Sequence, residues 1–483
     1  MKSTDRTMTG ASAPGQTANR PANPKDDRTG QHTATTRPSR RGGALGRPPL
    51  MRRGVTVTGA LGVVVAGLLI GSAPPASGTA SAHHPQRPHR TSADVVTDWN
   101  RIAFRTYGQG TPAVPPPVQA LYSGFVGAAV HDAVVSITGR SRPYLPHGRS
   151  DTRRPRGASV EAAASTAAYR VLSALVPTAT EQLAADHARW LAQVPDGPRE
   201  RAGVRAGERA AQALLRARKG DGRGAPITLT TTPGPGVWDV PPGGMAVPWL
   251  GFVRTMVLPS ATSIRLPGPD PLGSRRYARD VEEVQRMGGA TGSDRTPAQT
   301  ETALFYSANP VQQYNDALSD RLTRHGADAS TAARHLALLG LASADAAITC
   351  WRTKYDVHNW RPQQAIQRAD DDGNPRTVAD PTWQPLLANP PYPDYTSGHA
   401  CVTGAASRTL ARLYGPSSID ITVASPVTGT TRHYDRASRL VADTTNARIW
   451  LGIHFRKAMD DGSRIGTTAA DVTVDRMLRP TRR

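Results

Sequence analysis

The chain has 483 residues, 38% of them hydrophobic and 20% charged, with a net charge of +21. That composition permits one large folded domain or two. Residues 1–82 carry 11 Lys/Arg against 3 Asp/Glu, which leaves a surplus of +13 after Ala82. No long basic run or basic patch interleaved with aromatics accompanies the surplus, so it reads as an arginine-rich composition and argues against a nucleic-acid partner. There is also no Gly-rich nucleotide loop, zinc-ligand spacing or Ser-elbow motif, which removes those enzyme classes.

Residues 1–50 are dominated by Thr, Pro, Arg, Gly and Asp and predict a disordered segment, because too little apolar surface is present to bury. Residues 51–82 read as an export signal. Met51-Arg52-Arg53-Gly54 precedes an apolar run, Val55 to Ile70, and Ala80-Ser81-Ala82 offers a small-x-small cleavage site. The twin arginine suggests the twin-arginine type, and cleavage after about Ala82 predicts a secreted protein without stable membrane insertion. A retained anchor is the alternative, although the run is short for a spanning helix. Met51 offers an alternative start. Residues 83–92 form a polar linker.

An N-terminal helical part is expected over 93–218, with helices from about Ala93 and at 118–137, 158–175, 179–193 and 197–218. Within it, His131-Asp132 reads as a satisfied core pair. Residues 219–273 are rich in Gly and Pro and predict a long loop over the bundle. A C-terminal helical part is expected over 274–475, with helices at 274–287, 297–306, 310–324 and 330–354. Ala-rich composition through the middle predicts an all-α core. The two cysteines, Cys350 and Cys401, allow either a disulfide or two buried thiols.

Three segments carry chemistry. In Tyr392-Pro393-Asp394-Tyr395-Thr396-Ser397-Gly398-His399-Ala400-Cys401, a turn-like first half runs into an apolar stretch with helical spacing. A helix that starts on Ser-Gly-His presents backbone N–H groups, a hydroxyl and an imidazole at one point, which suits an oxyanion. The helix over 330–354 ends at Trp351-Arg352-Thr353-Lys354, and Arg361 follows seven residues after Lys354. On a continued helix, seven residues would put both cations on one face, where an anion between them would offset their repulsion. In Ala447 to Phe455, Arg448 and His454 stand in an otherwise apolar run, and a buried Arg needs a partner.

Taken together, Lys354-x6-Arg361-Pro362, Thr396-Ser397-Gly398-His399 and Arg448-x5-His454 resemble the three-part signature shared by vanadium-dependent haloperoxidases and type 2 phosphatidic acid phosphatases. Residues 373–383 and the loop beyond them are similar to the bacterial haloperoxidase-like branch. The resemblance covers most of residues 93–475, with the specific motifs between 350 and 460, and it implies a helical bundle holding the anion. It further implies vanadate as cofactor, bound through a ring nitrogen of His454, or a phosphohistidine at His454 in a phosphatase. Lys354, Arg361 and Arg448 would neutralise equatorial oxygens, Ser397 and the Gly398 N–H would hydrogen-bond them, and His399 would be the acid/base group. Preset donors around the equator are what a trigonal-bipyramidal oxyanion requires.

Trp351 and Tyr392 match positions beside the halide in the family, and Trp351 favours the haloperoxidase over the phosphatase. Two departures stand out. Thr396 replaces a usual Pro and is expected to loosen the loop. Ala458 stands where the family often has an Asp that orients the last histidine, with Asp460-Asp461 as doubtful substitutes. Three readings follow: a haloperoxidase acting on hydrogen peroxide and halide, an acid phosphatase acting on phosphomonoesters, or a protein with a vestigial pocket. Both a monomer and a homodimer are compatible with the sequence.

Overall fold

A computed structural model describes residues 93–146 and 157–481. The expected disordered segment, export signal and linker lie outside these residues. Thirteen α-helices are present among the described residues. The first five are α1 (Asp94–Gln109), α2 (Pro116–Thr138), α3 (Val160–Leu175), α4 (Thr180–Leu191) and α5 (Pro198–Ala217). After a long irregular stretch come α6 (Arg275–Gly288), α7 (Pro297–Phe305), α8 (Pro310–Arg324), α9 (Ala329–Val357) and the short α10 (Pro362–Gln367). The last three are α11 (Gly398–Tyr414), α12 (Ala437–Trp450) and α13 (Arg456–Arg476). An antiparallel hairpin, β1 (Ile421–Ser425) and β2 (Thr430–Tyr434), pairs Ile421 with Tyr434 and Ser425 with Thr430. The expected all-α fold therefore holds with one small hairpin added.

α9 is the central element. From Leu336 to Trp351 all of its residues are buried, so the helix is covered on every side. Asp328 caps its start by accepting the Thr331 N–H. α2 packs along it and is long and apolar enough to cross a membrane, yet most of its surface lies inside the bundle. One hydrophobic cluster runs from Trp99 and Phe125 through Leu338 and Ile348 to Ile465. The N-terminal and C-terminal helical parts thus share a core.

α11 and α13 approach so closely that a side chain is excluded. A Cβ on Gly466 would lie 2.1 Å from the Cys401 carbonyl oxygen and 2.4 Å from the Ala405 nitrogen. Both are backbone atoms of α11, so relief requires the helices to separate. Gly466→Ala is expected to cost about 3 kcal/mol, read as a lower urea midpoint with an unchanged slope.

The irregular stretch over 219–273 was expected to drape the bundle, and the structure shows what pins it. The Asp345 carboxylate, buried in α9, accepts the backbone N–H groups of Met256, Val257 and Leu258 at 2.5, 2.8 and 2.7 Å. Trp238 N–H donates to the His358 carbonyl, and Trp360 N–H to that of Gly236. The stretch thereby braces the turn that follows α9. His131 and Asp132 do not pair with each other. His131 bonds the Arg142 carbonyl, and Asp132 accepts the Tyr144 and Leu145 N–H groups, so each anchors the segment after α2.

Candidate active site

α9 does not continue to Arg361. It ends at Val357, with His358 in the left-handed region at φ 57°. The expectation that Lys354 and Arg361 share a helical face is therefore incorrect. The chain turns, and Arg361 becomes the residue that caps α10. The two cations still meet, because both lie under the Tyr392 ring: Lys354 Nζ and Arg361 Cζ are each 4.9 Å from its centroid.

All three expected cations are buried: Lys354 is fully buried, Arg361 is 1% exposed and Arg448 3%. Among the described residues none is neutralised by a carboxylate within salt-bridge distance; backbone carbonyls hold them. Lys354 Nζ donates to the Pro393 and Asp394 carbonyls at 2.5 and 3.0 Å. Arg361 donates from Nε to the Tyr392 carbonyl at 2.8 Å and from Nη1 to that of Ile453 at 2.6 Å. Arg448 Nη1 donates to the Tyr306 carbonyl at 3.0 Å. Donors are left over, since Arg361 Nη2 and Arg448 Nε have no hydrogen-bond partner among the described residues, and an ammonium has three donors of which Lys354 uses two.

Burial, and after it the neighbouring Arg361, bring the Lys354 ammonium down to about 8. Burial likewise lowers Arg448, to about 9. A lowered Lys pKa carries a definite sign for stability. Below about pH 8 native and unfolded chains both hold the proton, and the native state bears the full cost of the buried charge. Between about 8 and the unfolded value the unfolded chain holds a proton that the native chain has shed, so this contribution to stability rises with pH. Relative to Lys354→Met, the anion-free protein is therefore expected to gain about 2 kcal/mol between pH 7.5 and 9.5. Denaturation at both pH values checks this, and a flat difference would remove Lys354 as a buried ammonium.

His454 is 1% exposed. Its Nδ1 lies 2.6 Å from Asp394 Oδ1. Burial, then Arg361 and Lys354, push the imidazole well below its ordinary value, so it is neutral. Burial raises Asp394 to about 7 against the pull of Arg361 and Lys354. The Nδ1–H donates to Asp394, which leaves the lone pair on Nε2. Nε2 has Arg361 Nη1 at 3.4 Å. Asp394 is the orienting carboxylate that sequence reasoning sought at Ala458, Asp460 or Asp461. Asp461 instead accepts from the Tyr395 hydroxyl at 2.5 Å and Lys457 Nζ at 2.6 Å, and Asp460 is exposed. The available signal was an Asp between Pro393 and Tyr395 in the very loop that carries Ser-Gly-His.

Ser397 caps α11, with its Oγ 3.4 Å from the Ala400 nitrogen. Its own N–H donates to the Ala458 carbonyl. Gly398 opens the helix, so its N–H has no acceptor within it. His399 follows, with Nε2 3.2 Å from the Ala308 carbonyl. Burial and then Arg448 hold it well below its ordinary value. Nε2 therefore carries the proton and Nδ1 the lone pair. Thr396 was expected to loosen this loop. It is instead fully buried, with Cys350 and Cys401 packed around its hydroxyl at 3.5 and 3.7 Å.

The Trp351 indole N–H donates to the Ala246 carbonyl at 3.1 Å, so it is not free for a halide. Its ring lies 5.1 Å from that of Tyr392. Both rings line a cavity of about 320 Å³ together with His399, Gly398, Pro310 and Pro390.

The nine residues singled out from the sequence therefore gather at one place, where α9, the Tyr392–His399 loop and the end of α12 meet. Residues 334–483, which include all nine, match the family described as the VCPO second helical-bundle domain. The chain is 25% identical, over 76% of its length and 80% of the relative's, to vanadium chloroperoxidase of Curvularia inaequalis. Among solved structures it resembles a bacterial vanadium-dependent iodoperoxidase, with a TM-score of 0.68 and 21% identity over 82% of this chain and 99% of the other. It also resembles a bacterial vanadium-dependent chloroperoxidase in its holo form, with a TM-score of 0.60 and 17% identity over 77% of this chain and 95% of the other.

Proposed function

We propose that this chain, which belongs to the superfamily of vanadium-dependent haloperoxidases and type 2 phosphatidic acid phosphatases, is a peroxidase that oxidises halide with hydrogen peroxide at vanadate held by His454. The observation that carries the reading is the Nε2 lone pair of His454, fixed by Asp394, beside buried cations with unspent donors. An oxyanion bonded to that nitrogen would meet Arg361 Nη2, Arg448 Nε and the remaining Lys354 N–H, and it would offset charge that the fold leaves unbalanced. When bound, vanadate supplies a Lewis-acid centre that brings peroxide and halide together. The chain's part is to bind and orient. His399, neutral with a lone pair on Nδ1, is able to take a proton from incoming peroxide. Lys354 and the arginines hold oxygens that keep negative charge.

A phosphoryl group fits the same donors, so the acid phosphatase is the second reading. The two are separated by assaying the purified chain for monochlorodimedone halogenation and for phosphate release, with and without orthovanadate. Vanadate-dependent halogenation is expected; phosphate release inhibited by vanadate would reverse the assignment, and neither activity would leave a vestigial pocket.

We place the mature protein outside the cytoplasm. Support comes from Arg52-Arg53, the apolar run over 55–70 and the small residues up to Ala82. The exported protein is expected to begin after about Ala82 by N-terminal sequencing; recovery of the full chain in the cytoplasmic fraction would contradict this.

A further inference from the structure

Cys350 on α9 and Cys401 on α11 are both free thiols and both fully buried. They are not isolated in the core. Cys350 Sγ lies 3.4 Å from the Thr396 carbonyl oxygen, and the Thr396 hydroxyl touches both sulfurs. Both sulfurs thus lie against one hydroxyl, at 3.5 and 3.7 Å. Burial alone would suppress ionisation of Cys350. The neighbouring Cys401 and the Lys354 cation outweigh it and bring this thiol to about 7, whereas burial keeps Cys401 well above its ordinary value. One sulfur is thus set up as nucleophile and the other as resolving thiol.

The pair also neighbours the cavity described above. The wall of the 320 Å³ cavity is formed by Ala347 and Trp351 on α9 and by Gly398 and Val402 on α11. Ala347 and Trp351 are the helical neighbours of Cys350, and Gly398 and Val402 those of Cys401, so the turns that carry the two sulfurs also help to line the cavity that holds His399.

We propose that Cys350 and Cys401 are a peroxide-oxidised pair that closes to a disulfide and turns the anion site off. The Cys350 thiolate attacks one oxygen of hydrogen peroxide, the O–O bond breaks, and hydroxide leaves with a sulfenic acid on Cys350. The Cys401 sulfur then attacks the Cys350 sulfur; the S–S bond forms, and the sulfenic oxygen leaves as water with the thiol proton. The balance is two thiols and one peroxide to one disulfide and two waters. The bond takes both sulfurs off Thr396, the residue before Ser397. The start of α11, and with it Gly398 and His399, loses the packing that holds it, and a thiol reductant restores it.

The step needs peroxide but neither halide nor vanadate, so its test is separate from that of the proposed activity. The full chain is treated with a few equivalents of hydrogen peroxide, quenched, alkylated under denaturing conditions, digested and analysed by mass spectrometry. The expected result is loss of both free thiols together, a mass lower by two hydrogens, a Cys350–Cys401 cross-linked peptide, and reversal of all three by dithiothreitol. Cys401→Ser is expected to stop the chemistry at Cys350 and to give a dimedone adduct there, with the fold checked by circular dichroism. Two thiols that survive peroxide in the native chain, or that are oxidised independently to sulfinic or sulfonic acids, would overturn the proposal. Because the native chain itself gives the decisive peptide, the test stands even where the serine variant fails to fold.

Discussion

His454→Ala is expected to weaken vanadate binding by at least roughly 10³-fold, and peroxide-dependent halide oxidation is expected to fall with it. The imidazole contributes the bond that fixes the anion, and a Lewis-acid contact of several kcal/mol corresponds to that ratio at about 1.4 kcal/mol per decade. The three cations remain in the variant, so weak and purely electrostatic binding of oxyanions is expected to persist. Orthovanadate titration by calorimetry reads the difference, with circular dichroism confirming the fold. Tight vanadate binding to the variant would remove His454 from the ligand role. Phosphate serves as the comparison: it is expected to lose less affinity than vanadate, because it depends on the cations more than on the ring nitrogen.

Asp394→Ala is expected to lower vanadate affinity by roughly 10- to 100-fold, the range seen when the partner of a ligating histidine is removed. The carboxylate holds Nδ1–H at 2.6 Å and so keeps the lone pair on the nitrogen that faces Arg361. Without it, the ring is free to rotate or to change tautomer. Asp394→Asn is expected to lose less, since an amide oxygen still accepts from Nδ1–H. Asp460→Ala, at an exposed position on α13, is expected to change nothing. A result in which Asp394→Ala and Asp460→Ala match each other would mean that the 2.6 Å contact does not orient the ring.

The site side chains were legible because each was an exception in its surroundings. Arg448 interrupts an apolar run, and a cation in such a run needs a partner, whereas Lys354 and Arg361 stood out as cations seven apart at the end of an apolar helix. What was not legible was how they meet. Seven residues between Lys354 and Arg361 suggested a helical face, yet His358 turns the chain, and a single left-handed residue leaves no mark in periodicity. Asp394 was in view throughout but looked like a turn residue, because an Asp directly after a proline often is one. The helices up to α9, and α11, were readable from their spacing nearly to their ends, whereas α10, α12 and α13 were covered only by the general expectation of a helical C-terminal part. The hairpin was not, since β1 and β2 are five residues each and only β1 alternates in burial. The anchoring of the long irregular stretch by Asp345 was also hidden, because it depends on contacts almost ninety residues away in sequence.

The hydrogen bonds to the cations have a consequence for how the site can change. Lys354, Arg361, Arg448 and His399 are steered by peptide oxygens of residues 306, 308, 392, 393, 394 and 453. A peptide oxygen aims a charge without cancelling it, so the full attraction is kept for the guest. It is also indifferent to the side chain attached to its residue. Single substitutions at 306 or 308 would leave the steering in place, whereas inserting or deleting one residue between α7 and α8 would misdirect Arg448 and His399 together. Tolerance to exchange and intolerance to length change is therefore the signature to look for in that short connection.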